Sequence, residues 1–114
     1  VHRSVPLDVT QHITISGDEM RERFDAGLLR AVRVLAEVES PHHQTFTWHD
    51  PLAAATIFDA GICDLARGTA EVDLAGEATM GMTRWRPDGD AHEAAVSVRP
   101  DRFFEHFFSV MHDA

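Results

Sequence analysis

The segment Trp48-His49-Asp50-Pro51-Leu52-Ala53-Ala54-Ala55 sets an imidazole and a carboxylate side by side where a helix should begin. Asp50 is the expected N-cap and Pro51 the first helical residue, each in the position its backbone chemistry favours. The body, Leu52 to Phe58, is apolar nearly all round, which predicts a helix buried on most sides. A helix N-terminus offers unpaired N–H groups and a positive partial charge. A carboxylate there stays ionised and can hold a hard, oxygen-seeking cation such as Ca²⁺. The adjoining imidazole can work as acid or base near neutral pH. A plainer reading stands beside this one: Asp-Pro is ordinary helix capping, and His49 is then a loop residue.

Other residues invite chemistry less directly. Trp48 can stack on a flat ligand or serve as a core aromatic, and Phe46 poses the same choice. His42, His43 and His49 raise a zinc reading, but their spacing is not that of a compact site and no cysteine assists, so water-facing loop histidines are the simpler account. Cys63 stands alone, which excludes an internal disulfide and a cysteine-based zinc site and points to a small buried residue in a reducing compartment. Arg84-Trp85-Arg86 reads as a small anion patch or as a solvated strand end. Phe103, Phe104, Phe107 and Phe108 read as packing, with self-association as the expected outcome if nothing covers them.

Several elements must position these groups. Val5 to Thr10 reads as the end of an extended segment, and Ile13 and Ile15 alternate with polar neighbours as a short strand does. Ser16-Gly17-Asp18-Glu19 is a capping-box pattern that should start a helix running toward Gly27. Leu28, Leu29, Val32, Leu35, Ala36 and Val38 keep helical spacing to about Glu39, and Ser40-Pro41 ends that helix. Beyond the Asp50 helix, which Gly61 closes, the period changes to two. Ala70, Val72 and Leu74 predict one strand, Ala78, Met80 and Met82 a second that ends at Arg84-Trp85-Arg86, and Ala94, Val96 and Val98 a third. Pro87 to Asp90 is a turn, and Pro100-Asp101 opens a last helix with Phe104, Phe107, Phe108 and Met111 on one face. Helices, a small antiparallel sheet and a C-terminal helix make an α+β arrangement.

The chain has 114 residues, room for one small domain, and no repeat or long linker divides it. Its formal charge is −9, with 19 acids against 10 bases, which argues against a nucleic-acid backbone as partner. No stretch approaches membrane-spanning length, and no apolar signal core opens the chain, so a cytoplasmic location is expected. The chain starts at Val1 rather than Met and reads as though taken from the middle of a longer protein.

Three segments, in order, carry a resemblance. His49-Asp50-Pro51-Leu52-Ala53 resembles the late histidine–aspartate motif of the inosine-uridine preferring nucleoside hydrolase family. Val5-Pro6-Leu7-Asp8-Val9-Thr10 is similar to the family's Leu-Asp-Val-Thr segment, and Gly76-Glu77-Ala78-Thr79-Met80-Gly81-Met82-Thr83 to its glycine- and threonine-containing strand. The resemblance covers nearly the whole of residues 1–114 and implies one C-terminal segment of an α/β parent fold. It implies hydrolysis of the N-glycosidic bond of purine or pyrimidine ribonucleosides. His49 matches the residue that protonates or hydrogen-bonds the departing base, and Asp50 the aspartate that completes a Ca²⁺ site. Trp48 stands where the family has a smaller residue, beside the leaving group.

In the family the calcium is held mainly by an aspartate-rich cluster near the N-terminus. Here Asp18, Asp25, Asp59, Asp64 and Asp73 are scattered, and one carboxylate falls short of the roughly six to eight oxygens that calcium takes. The expectation is that this chain alone neither binds calcium tightly nor turns over nucleosides. The rival expectation is a non-catalytic α+β interaction domain, a homo-oligomer, or a degenerate paralogue of the enzyme.

Overall fold

The structure, a computed structural model, describes residues 2–25, 27–39 and 45–112. In chain order they form β1 (His2–Ser4), α1 (Leu7–Thr10), β2 (Thr14–Ser16), α2 (Gly17–Arg23), α3 (Gly27–Glu39), β3 (Thr45–Thr47), α4 (His49–Phe58), a 3₁₀ turn (Ala60–Ile62), β4 (Cys63–Val72), β5 (Thr83–Arg86), β6 (His92–Val98) and α5 (Pro100–His112). The main sheet is mixed, in the order β1-β6-β4-β5. Strand β4 runs antiparallel to both its neighbours, and β1 joins the edge of β6 in parallel. A separate antiparallel pair joins β2 to β3, with Ile15 opposite Phe46. The architecture is the α+β arrangement expected, closed by the C-terminal helix.

The local signals explain much of this. Ser16 Oγ accepts the Glu19 N–H at 3.1 Å and starts α2, as the capping pattern predicts. The Glu19 carboxylate turns to Arg23 at 3.1 Å instead of back to the cap. Gly27, with φ of 55°, takes the left-handed conformation between α2 and α3 that a side chain would resist. Gly68 lets the Trp85 ring lie against β4, where a Cβ would collide with the ring and with the Arg86 carbonyl. Trp85 is thus engaged across the strand pair, while Arg84 pairs with Asp73 and Arg86 with Glu71 and Asp88. The arginines of this segment are neutralised by neighbouring acids.

Four expectations are corrected. Leu7–Thr10 is a helical turn rather than extended chain, with the Pro6 carbonyl accepting from Val9 and Thr10 N–H. The strand expected from Ala78 to Arg84-Trp85-Arg86 forms only at its end, as β5, and Ala78, Met80 and Met82 lie in a loop. The Asp73 carboxylate gathers the N–H groups of Ala75 and Gly76, each at 3.0 Å, and the Thr79 hydroxyl at 2.6 Å, so local bonds outcompete a ladder. Gly81 then reverses the chain with φ of 85°. Asp50 is not the N-cap of α4: Trp48 holds that position without a side-chain bond, and Asp50 lies in the first turn. Helix α4 is also buried on one face only, through Leu52, Ala55 and Thr56, while Ile57 and Phe58 are 77 % and 79 % exposed. The segment Ser40-Pro41, with His42 and His43, lies outside the described residues.

The core is aromatic. Phe24, Trp48, Phe103 and Phe108 are buried together, with Phe104 and Phe107 half-buried against them. Trp48 meets Phe107 edge-on at 4.7 Å and Phe24 at 5.6 Å between ring centroids. The Arg23 guanidinium covers the Phe108 ring at 3.5 Å. The phenylalanine face of α5 therefore packs inside this chain. Exposed apolar residues lie elsewhere, on α3 (Leu28, Leu35, Val38) and on α4. The radius of gyration is 16.9 Å, against about 13 Å for a compact chain of this length.

Three carboxylates tie the ends of these elements together. Asp59 receives two bonds from Arg102, at 2.7 and 2.8 Å, joining the end of α4 to α5. Asp64 holds Ser97 and Arg99, and Asp73 holds its loop. These bonds, that of Arg102 above all for Asp59, that of Ser97 for Asp64 and that of Thr79 for Asp73, hold all three below the ordinary carboxylate range. A depressed folded-state pKa adds stability above the unfolded value of about 4 and loses it as pH falls through the lower folded value. Urea midpoints should therefore be level from neutrality to about pH 5 and fall steeply below about pH 4. Asp59→Asn should lower the neutral midpoint and flatten that acid fall; an acid limb as steep as in the parent would count against the account.

Candidate functional site

Residues 7–16 and 45–50 are laced together, and this lacing builds the site. The β2–β3 pair fixes their register, and the Trp48 N–H continues it by donating to the Ile13 carbonyl at 2.9 Å. Three residues before Ile13 and one after Trp48, Thr10 and His49 therefore meet. Thr10 Oγ1 lies 2.6 Å from His49 Nδ1. Thr10 is 2 % exposed, whereas His49 and Asp50 are exposed. The imidazole is thus pinned from below by a buried hydroxyl and open to solvent above.

Asp50 follows in the first turn of α4, where the helix end favours its charge. No hydrogen bond or ion pair engages its carboxylate among the described residues, so its oxygens are available to a cation or a hydroxyl. Trp48 is placed differently from its two successors. It is 8 % exposed and its ring is hemmed in by Phe24, Phe103, Phe104 and Phe107. Its Nε1 is buried without a partner among the described residues, a cost of about 1–3 kcal/mol. This setting favours the core reading over a free stacking face. Phe46 is half-buried against the same core.

The remaining candidates separate from the site. Cys63 is buried at the start of β4, and desolvation pushes its thiol pKa up, as suits a small core residue and not a nucleophile. Among the described residues, no three His, Cys, Asp or Glu side chains gather into a metal-sized group. No helix of the described residues is long and apolar enough to cross a membrane. An apolar groove of about 320 Å³ runs between α4 and α5, lined by Pro51, Ala54, Phe58, Phe107 and Val110.

Local sequence marks His49 and Asp50 but not Thr10, although Thr10 closes one of the segments that carry the family resemblance. What sequence does not display is that a three-residue strand pair folds that segment onto the histidine.

No protein-family model matches the chain, and no curated protein sequence matches it either. Solved structures do match in shape. A plant nucleoside hydrolase superposes with a TM-score of 0.76 over 96 % of this chain, at 16 % identity. A purine-preferring ribonucleoside hydrolase from Gardnerella vaginalis gives 0.75 over 97 %, at 22 % identity. An inosine-guanosine nucleoside hydrolase gives 0.77 over 96 %, at 14 % identity. The chain thus has a fold shared with part of the nucleoside hydrolases. It spans 40 %, 39 % and 38 % of the length of these three proteins.

Proposed function

We propose that this chain is the C-terminal segment, residues 1–114, of a ribonucleoside hydrolase of the inosine-uridine preferring type. The reaction adds water across the N-glycosidic bond: the bond from the anomeric carbon to the base nitrogen breaks, a bond to the water oxygen forms, and free base and ribose leave. The supporting observation is the solvent-facing pair His49 and Asp50, held at the N-terminus of α4 on a fold shared with nucleoside hydrolases. His49 delivers a proton, or a hydrogen bond, to the departing base, because a purine or pyrimidine leaves poorly as an anion. Asp50 faces the sugar side. Trp48, packed among Phe24, Phe103, Phe104 and Phe107, anchors the residue just before the pair in the core.

The donor chemistry suits calcium in kind but not in number. Asp50 is a hard oxygen ligand, yet among the described residues it belongs to no cluster of three or more His, Cys, Asp or Glu side chains, and calcium takes roughly six to eight oxygens. These residues do not make a calcium site by themselves, and no step is assigned to the ion. A complete site needs donors from further polypeptide, and the exposed apolar residues of α3 and α4 offer surface for it to cover.

That same surface supports a second reading, a non-catalytic interaction domain or homo-oligomer. Release of free base from ribonucleosides, assayed with calcium on this chain and on any longer natural form, separates the two. The first reading expects turnover in the longer form and none in the 114-residue chain. A longer form that binds calcium yet releases no base would sink it.

A further inference from the structure

We propose that Thr10 is the positioning residue of His49, fixing its tautomer so that Nε2 carries the proton and is the nitrogen that meets a ligand. The inference deepens the hydrolase reading and rests on it only for the ligand's identity; the hydrogen bond itself is a property of this chain.

A threonine hydroxyl has one hydrogen to give. Thr10 is buried, so that hydrogen cannot turn to bulk water. Two acceptors lie within reach: His49 Nδ1 at 2.6 Å and the Leu7 carbonyl at 3.4 Å. The first distance is that of a strong bond, while the second is at the weak limit for a hydroxyl. The hydrogen therefore goes to Nδ1. A neutral imidazole has one N–H, so with Nδ1 accepting, the proton sits on Nε2. His49 is exposed, and its Nδ1 side is occupied, which leaves an Nε2–H donor facing outward. That form gives a hydrogen bond to a departing base nitrogen; transfer of a full proton starts from the imidazolium, in which Nδ1–H donates to Thr10 in turn. The opposite tautomer would present a bare acceptor there and would reverse the short bond, with Nδ1–H donating to Thr10 and the hydroxyl hydrogen left to the long contact with Leu7.

The arrangement also orients the ring. Thr10 ends α1, whose backbone is tied to Pro6 and Leu7, and Thr10 is 39 residues from His49 in sequence. A rigid turn from one segment thus holds the ring of another, the usual way a side chain is set for proton transfer.

The test is ¹⁵N-labelled chain observed by long-range ¹H–¹⁵N correlation at alkaline pH. The expected result is a single His49 tautomer, with a pyrrole-like Nε2 and a pyridine-like Nδ1. Thr10→Val keeps shape and removes the hydroxyl, and should convert this to an averaged mixture. Thr10→Ser keeps the hydroxyl and should restore the single tautomer; dispersed amide signals from α4 in both variants show that the fold persists. A proton on Nδ1 in the parent chain, or a His49 spectrum unmoved by Thr10→Val in a folded protein, would overturn the proposal. These readouts need no turnover. If no form of the protein releases base, the hydrolase reading fails while the tautomer result stands.

Discussion

Phe103→Ala should cost this chain about 3–5 kcal/mol, enough to leave a large fraction unfolded at mild urea. Phe103 is 0 % exposed, and its ring touches Phe104 at 5.1 Å, Phe107 at 5.9 Å and Trp48 at 6.3 Å. Truncation removes a whole ring from a place where neighbours cannot collapse without moving α5 off α4. Small domains have about 5–15 kcal/mol in total, so one side chain carries a substantial share. The margin should be at the low end here, given the exposed apolar residues of α3 and α4. Urea unfolding followed by tryptophan fluorescence measures the loss, since Trp48 reports directly on this cluster. Phe104→Ala, at a half-buried site, should cost clearly less. Equal midpoints for the two variants would mean that the aromatic cluster is not the core.

The second large effect is on chemistry. In a form that hydrolyses ribonucleosides, His49→Ala should lower kcat by about 10²–10⁴, the range for loss of a positioned general acid. KM should move much less, because the imidazole gains its bond as the base departs and not when the substrate binds. The loss should shrink for a riboside whose leaving group is a good anion and needs no proton. Asp50→Ala should differ in kind, weakening calcium dependence first. Steady-state kinetics with both substrate types decides the matter. A kcat unchanged by His49→Ala would remove the imidazole from the reaction.

How much of this was legible in the sequence depends on range. The Ser16 cap, the α3 period and the α5 stripe are all written within a dozen neighbouring residues; the β6 strand is legible too, but not its faces, because a register shift opposite Asp64 and Leu65 leaves Ala95 buried and Val96 exposed. The Gly76–Met82 segment misled because alternating apolar residues mimic a strand, while the decision lies with one carboxylate, Asp73, that bonds three groups of its own loop. Helix α4 misled differently. Its composition, apolar nearly all round, predicts burial on every side, whereas Leu52, Ala55 and Thr56 are buried and Ile57 and Phe58 are exposed. The site split the same way. His49 and Asp50 were visible as a local pair, but the hydroxyl beneath them comes from Thr10, brought near by β2 and β3, and no local pattern encodes that.

The parallel pairing of β1 with β6 sets an order of assembly. His2–Ser4 finds its partners only at His92–Ala94, with Arg3 held to Glu93 at 3.0 Å. Closing so long a loop costs entropy before any contact returns it, whereas β4 and β5 are joined by a short local connection. During synthesis β1 cannot take up this pairing until residues 92–94 have emerged. The antiparallel strands β4 and β5 should accordingly gain hydrogen-exchange protection first, and β1 only once β6 is in place.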